Sequence, residues 1–152
     1  MKGGTMVTNY SSRSDALPII NGILYGNGNV QYYDINVDQD DKRSIKMVQA
    51  ILEEREYVKT TAYINAQMEC EDMDIRFFIG EGSYGGDGWI LAESMSTETM
   101  VFLISFDDSN PFVKICRNGK QLLVENNCGE QWVIEMQDMC NIGLSIASQK
   151  SH

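Results

Sequence analysis

Histidine and proline are nearly missing from this chain: 152 residues hold two prolines and one histidine, and that histidine is His152. Without an imidazole in the body of the sequence, Ser–His and Cys–His pairs, the commonest ways to activate a nucleophile, are excluded. The four cysteines, Cys70, Cys116, Cys128 and Cys140, show no C-x-x-C spacing. They are read as reduced thiols, and no zinc site or other metal centre is expected. No stretch approaches the roughly 18 apolar residues that a membrane span needs, and Met1-Lys2-Gly3-Gly4-Thr5 lacks the apolar core of a signal peptide. A cytoplasmic protein is expected.

Positive charge is also missing where it would matter most for binding phosphates. No Lys or Arg occurs between Phe77 and Val113. The net charge is -10, and it is concentrated: Asp34 to Asp108 carries 17 acidic and 6 basic residues, whereas the rest of the chain carries 5 and 6. Such a field repels nucleic acid and anionic membranes and attracts cationic partners.

The length suits one domain with a real core. A single globular unit over residues 14–147 is expected, with 1–13 and 148–152 as flexible ends and Met6 as a candidate natural start. Ala16–Tyr25 and Asn29–Val37 read as a hairpin around Gly26-Asn27-Gly28. Asp40-Asp41-Lys42-Arg43-Ser44 then carries the signature of a helix start, with Ile45, Val48 and Leu52 on one stripe and an end near Tyr57. Strands are expected at Val58–Met68, Asp74–Ile79, Trp89–Met95, Met100–Phe106, Gln131–Met136 and Cys140–Ile146. A type I′ hairpin is expected around Asn118-Gly119, with Ile115 facing Leu122 and Val113 facing Val124. The pattern predicts an α+β fold: one main helix packed on a twisted, mostly antiparallel sheet that can curve into a partial barrel.

One motif invites an enzymatic reading. Gly80-Glu81-Gly82-Ser83-Tyr84-Gly85 is a literal G-x-G-x-x-G after the apolar run Ile75–Ile79. A dinucleotide site needs a helix after the last glycine, and here Gly86-Asp87-Gly88 leads into the strand-like Trp89-Ile90-Leu91. A kinase glycine loop joins two strands, but its V-A-I-K, H-R-D and D-F-G companions are missing, and Glu81 and Asp87 would repel phosphate. The loop is therefore read as a connection rather than a nucleotide cradle, with Tyr84 exposed at its tip, while Tyr33 and Trp89 are expected in the core. Asp34-x-Asn36-x-Asp38-x-Asp40 begins like a calcium loop but has Gln39 where glycine is needed and Ile45 where the closing glutamate belongs. Glu53-Glu54 and Asp107-Asp108 are acid pairs that no motif distinguishes. No catalytic residue, cofactor or metal ligand is assigned.

Size, acidity, α+β character and lack of catalytic motifs make the chain similar to the small acidic immunity proteins of bacterial toxin systems, including contact-dependent inhibition. That resemblance implies a binding module that captures a basic, nuclease-like toxin by electrostatic steering and blocks its active site. The contact residues it implies are Asp34, Asp38, Asp40 and Asp41, the helix-end Glu53, Glu54 and Glu56, then Glu69, Glu71, Asp72 and Asp74, and Glu81, Tyr84 and Asp87 of the glycine loop. The alternative is a small ligand-binding β-domain or enzyme that uses Gly80–Trp89 as a lid or pocket rim.

Overall fold

A computed structural model describes residues 10–48 and 57–147. It corrects the expected α+β class: 62% of the described residues are strand, and they hold one short 3₁₀ turn, Glu71–Met73, and no α-helix. The elements are three antiparallel sheets. The largest has seven strands in the order β4-β3-β2-β9-β8-β7-β6, where β2 is Gly22–Tyr25, β3 Val30–Val37, β4 Arg43–Met47, β6 Tyr63–Cys70, β7 Ile75–Glu81, β8 Gly88–Ser94 and β9 Met100–Phe106. A four-stranded meander follows: β10 Phe112–Asn118, β11 Gln121–Asn126, β12 Gln131–Asp138 and β13 Asn141–Ala147. A ribbon of β1, Ala16–Pro18, and β5, Lys59–Thr61, completes the set, and the sheets do not close into a barrel.

The expected helix is overturned at its first half. Arg43–Met47 pairs with β3 in the register Asp34↔Lys46 and Ile35↔Ile45, and Val48 N–H continues the ladder to Tyr32 O at 2.9 Å. Asp40-Asp41 marks a turn instead of a helix cap. Asp38 Oδ1 accepts from the backbone N–H groups of Asp40 and Lys42, at 2.8 and 3.0 Å, and Asp41 takes φ 59°. Aspartate serves helix caps and turns by the same local hydrogen bonding, so the signal was ambiguous. The rest of the expected helix, with Leu52, Glu53, Glu54 and Glu56, lies outside the described residues.

Two expected strands are each divided. Ala16–Tyr25 breaks at Asn21, φ 55°, so that β1 turns away to pair with β5 while β2 keeps the predicted hairpin with β3. Val58–Met68 divides into β5 and β6. The β10–β11 hairpin exists, with its loop moved on by one residue and each partner by two: Asn118 pairs with Gln121 and Ile115 with Val124. Gly119, at φ 62°, occupies the first of two loop positions, and Lys120 the second. A glycine there belongs to a type II′ turn, so Asn118 joins the strand.

The central strands of the large sheet are apolar on both faces, which is why Phe77-Phe78-Ile79, Trp89-Ile90-Leu91-Ala92 and Phe102-Leu103-Ile104 read as continuous hydrophobic runs. Phe77, Ile79, Ile90, Phe102, Ile104 and Phe106 pack against Leu122, Val124, Trp132 and Ile134 of the meander. Trp132 meets Phe106 at 5.2 Å and Phe112 at 5.3 Å between ring centroids. On the opposite face, Phe78, Trp89, Leu91 and Leu103 cluster with Leu17, Ile20 and Leu24. Ser105 fastens that side: its hydroxyl donates to Pro18 O and accepts from Ile20 N–H, both at 2.8 Å.

Polar ties also join the large sheet to the meander. Arg43 Nε donates to Glu130 Oε2 at 3.0 Å and Nη2 donates to Glu130 Oε1 at 3.2 Å. Glu130 Oε1 further accepts from Trp132 Nε1 and Asn126 Nδ2, at 2.9 and 3.0 Å. Arg43 also donates to Asp108 O at 2.8 Å. Only 17% of the Arg43 side chain and 14% of the Glu130 side chain is exposed, so both ions depend on these partners. Elsewhere Tyr25 OH accepts from Ile142 N–H at 3.0 Å and donates to Gln31 Oε1 at 3.1 Å.

Two stability predictions follow from these ties. Arg43→Met leaves a largely buried carboxylate without its cation and should cost about 3 kcal/mol in urea unfolding; a loss below roughly 0.5 kcal/mol, the level of an exposed pair, would contradict the clasp. Burial pushes the pKa of the Tyr25 and Tyr33 phenols above the ordinary tyrosine value. A raised folded-state value stabilises below the unfolded value and is lost as pH climbs through the folded one. Stability should therefore fall above pH about 10, less steeply in a Tyr25→Phe, Tyr33→Phe variant; an unchanged slope in urea titrations over that range would contradict it.

Candidate functional site

The glycine motif joins β7 to β8, and its middle is pinned from beneath. Asp87 is buried, 1% exposed. Its Oδ2 accepts from Thr60 Oγ1 of β5, and its Oδ1 accepts from Tyr84 N–H at 3.2 Å. Thr60 Oγ1 in turn accepts from Ser83 N–H at 2.8 Å. Two backbone donors that a phosphate could use are thus turned inward, Tyr84 N–H onto Asp87 and Ser83 N–H onto Thr60. A Cβ on Gly82 would overlap Asp87 and Thr60, one on Gly80 would overlap Tyr63 O, and one on Gly88 would overlap Asn110 O. These glycines are required by close packing. Gly85 instead has open space around it and is required by its φ of 90°.

Asp87 is therefore corrected from a contact residue to a buried anchor. Tyr84 is exposed at 61%, while Tyr33 and Trp89 are buried as expected. Glu81 closes the β7 ladder opposite Tyr63 and Gly88, and its carbonyl accepts from Trp89 Nε1 at 3.1 Å.

Antiparallel pairing through the large sheet sorts the remaining acids into two groups. At one end lie Asn21, the turn 38–42, the loop 82–87 and Asp107-Asp108. Glu69, Glu71, Asp72 and Asp74 lie at the opposite end, so the structure does not gather the expected contact residues into one surface. Most of that second group is also engaged internally. Arg76 donates to Glu69 at 2.6 Å, and Arg117 holds Asp72 in a two-point contact at 2.6 and 2.8 Å. Asp74 accepts from Ser96 and Ser94 and caps the 3₁₀ turn in the left-handed conformation. Arg117 beside Asp72, and Ser96 then Ser94 beside Asp74, hold both carboxyls below the usual aspartate range. Glu53, Glu54 and Glu56 lie outside the described residues.

The first end carries two adjoining concavities. A cleft of about 470 Å³ is lined by Tyr32, Tyr33, Asp34, Phe106, Asp107 and Asp108 among others. A second, of about 390 Å³, is lined by Ile19, Ile20, Tyr57, Val58 and Tyr84, and the two share Asn21 and Asp107. Asn21 builds the junction: its left-handed backbone turns the chain from β1 into β2, its carbonyl accepts from Tyr33 N–H at 2.9 Å, and its Oδ1 accepts from Asp107 N–H at 3.0 Å. Tyr32 and Tyr57 place their hydroxyls 2.6 Å apart.

Asp34 and Asp107 are exposed and have no ion pair among the described residues, although Lys46 stands across the ladder from Asp34. Asp108 lies 3.5 Å from Arg43 Nη1. Sequence reasoning gave Asp107 and Asp108 no role and did not foresee Asn21 or Tyr57. The acid pair at the end of β9 was visible as a signal, but its approach to Asp34 requires β2 to pair with both β3 and β9, 70 residues apart at their starts.

Among the described residues, no group of three or more His, Cys, Asp or Glu side chains is arranged to hold a metal ion. No helix among them is long and apolar enough to cross a membrane. Compared with protein-family models, curated proteins and solved structures, the chain matches none.

Two substitutions separate the packing account of the loop from a phosphate cradle. Gly82→Ala should cost roughly 2–3 kcal/mol by displacing the Asp87–Thr60 contact. Gly85→Ala, which meets only backbone strain, should cost about 1 kcal/mol. Denaturant unfolding reads both; the reverse order would contradict the packing account.

Proposed function

We propose that this protein is an acidic protein-binding module of the immunity type, which captures a basic, nuclease-like toxin domain in the cytoplasm and blocks its active site. The observation that carries the reading is the pair of adjoining clefts where Asp34, Asp107 and Asp108 stand beside Tyr32, Tyr57 and Tyr84. Tyrosine offers large contact area with a polar tip, and exposed carboxylates around it steer a cationic surface into register. The turn acids Asp38, Asp40 and Asp41 and the strand-end Glu81 extend the same end of the sheet. Lys42, Lys46 and Lys59 temper this charge without reversing it.

The alternative, a small-ligand site rimmed by the glycine loop, draws support from Tyr84, which lines the second cleft. A pull-down with the basic protein encoded beside this one tests the first reading. Binding should occur and weaken as salt rises, because exposed charges are screened. Asp34→Asn with Asp107→Asn should weaken it about tenfold or more, mainly through slower association, while Glu71→Gln at the far end should leave it unchanged. No capture, or capture indifferent to salt and to both aspartates, would overturn the reading; stabilisation in a thermal-shift screen by a nucleotide or sugar would then favour the alternative.

A further inference from the structure

Asparagine stands directly before glycine three times in this chain, at Asn21-Gly22, Asn27-Gly28 and Asn118-Gly119. Glycine has no side chain to shield its backbone nitrogen, so each pair is a candidate for cyclisation of the asparagine onto the main chain. The fold treats the three differently. Asn21 is held on both sides: its Oδ1 accepts from Asp107 N–H at 3.0 Å and its carbonyl from Tyr33 N–H at 2.9 Å. Gly22 is buried so closely that a Cβ would overlap Gln31 O. Asn27 is exposed, but its Oδ1 accepts from Asn29 N–H at 2.9 Å. The nitrogen that would attack it is also engaged, since Gly28 N–H donates to Tyr25 O at 2.9 Å.

Asn118-Gly119 has neither restraint. Both residues are exposed, and a Cβ on Gly119 would meet only open space. Among the described residues nothing accepts from Gly119 N–H and nothing binds the Asn118 side-chain amide. Arg117 Nε donates to the carbonyl of Gly119, at 2.7 Å, and so leaves its nitrogen uncommitted. Asn118↔Gln121 is the last rung of the β10–β11 ladder, so rotating Asn118 toward its neighbour opens only a hairpin end, where local unfolding costs least. We propose that Asn118 is a site of spontaneous covalent modification, converted to isoaspartate and aspartate through a succinimide formed with Gly119.

The chemistry needs only water. Gly119 N attacks Asn118 Cγ, the new N–Cγ bond closes the ring, and the Cγ–Nδ2 bond breaks. Nδ2 leaves as ammonia with the proton from Gly119 N. Water then opens the succinimide at Cγ, giving aspartate, or at the main-chain carbonyl, giving isoaspartate with the backbone rerouted through Cβ. Arg117 and Lys120 flank the pair in sequence, and positive charge favours both the amide anion that attacks and the carboxylate that forms. The new carboxylate stands next to Arg117, which holds Asp72 at 2.6 and 2.8 Å, and therefore at the end of the large sheet remote from the clefts.

Incubation of the full chain at mildly alkaline pH, followed by peptide mapping with fragmentation that separates isoaspartate from aspartate, tests the assignment. Native protein should deamidate at Asn118 at least about threefold faster than at Asn27, with Asn21 slowest, because the latter two must first break their local hydrogen bonds. The preference should vanish in concentrated urea. An Asn118→Gln variant with unchanged thermal unfolding should lose the leading product. Reaction led by Asn21 or Asn27, equal native rates at Asn27 and Asn118, or the same preference for Asn118 in urea would overturn the inference.

Discussion

The structure depends on one constraint: the central strands of the large sheet are apolar on both faces, and both faces must be covered. The meander covers one through Trp132 and its neighbours, and the β1–β5 ribbon with the Ile19–Asn21 bend covers the other. With both faces occupied, polar groups that do not hold the fold together are pushed to the strand ends and edges. That is where the clefts lie.

The same constraint leaves Asp34 and Asp107 at the clefts without an ion pair among the described residues. Two ties rigidify that end from below. The Arg43–Glu130–Asn126 contacts lock β4 and the β9–β10 connection onto the meander, and Asp87 locks the glycine loop onto β5. Binding residues on a rigid scaffold lose less entropy when a partner arrives. At the other end, Arg76, Arg117 and the Ser94–Ser96 hydroxyls engage Glu69, Asp72 and Asp74, so two acidic clusters that look alike in sequence differ in their internal contacts.

Legibility in the sequence followed how local the deciding interaction was. β9 and most of β7, β8 and β10 to β13 were readable because alternation and apolar runs are properties of the strand itself. The β2–β3 hairpin was readable from Gly26-Asn27-Gly28. Arg43–Met47 was misread because Asp40-Asp41 satisfies helix caps and turns equally, and only pairing with β3 decides between them. Asn118-Gly119 gave the hairpin but not its register, because moving the glycine from second to first loop position shifts every partner by two. Of the candidate site, Asp34 and Tyr84 were legible as exposed acid and aromatic. Asp107 and Asn21 were not, since their meeting with Asp34 is made by a strand order that no local pattern encodes. Asp87 was misjudged for a related reason: its partner Thr60 sits on a different sheet.

The central claim of the proposed function is that the two acidic groups are unequal and that a basic partner would be met by the cleft end alone. Carbodiimide labelling of carboxylates, read by mass spectrometry with and without the captured basic protein, measures this directly. The account predicts protection of Asp34, Asp38 and Asp107 in the complex, with Glu69 and Glu71 labelled equally in both states. Protection centred on Glu69 to Asp74, with the cleft acids unchanged, would contradict it.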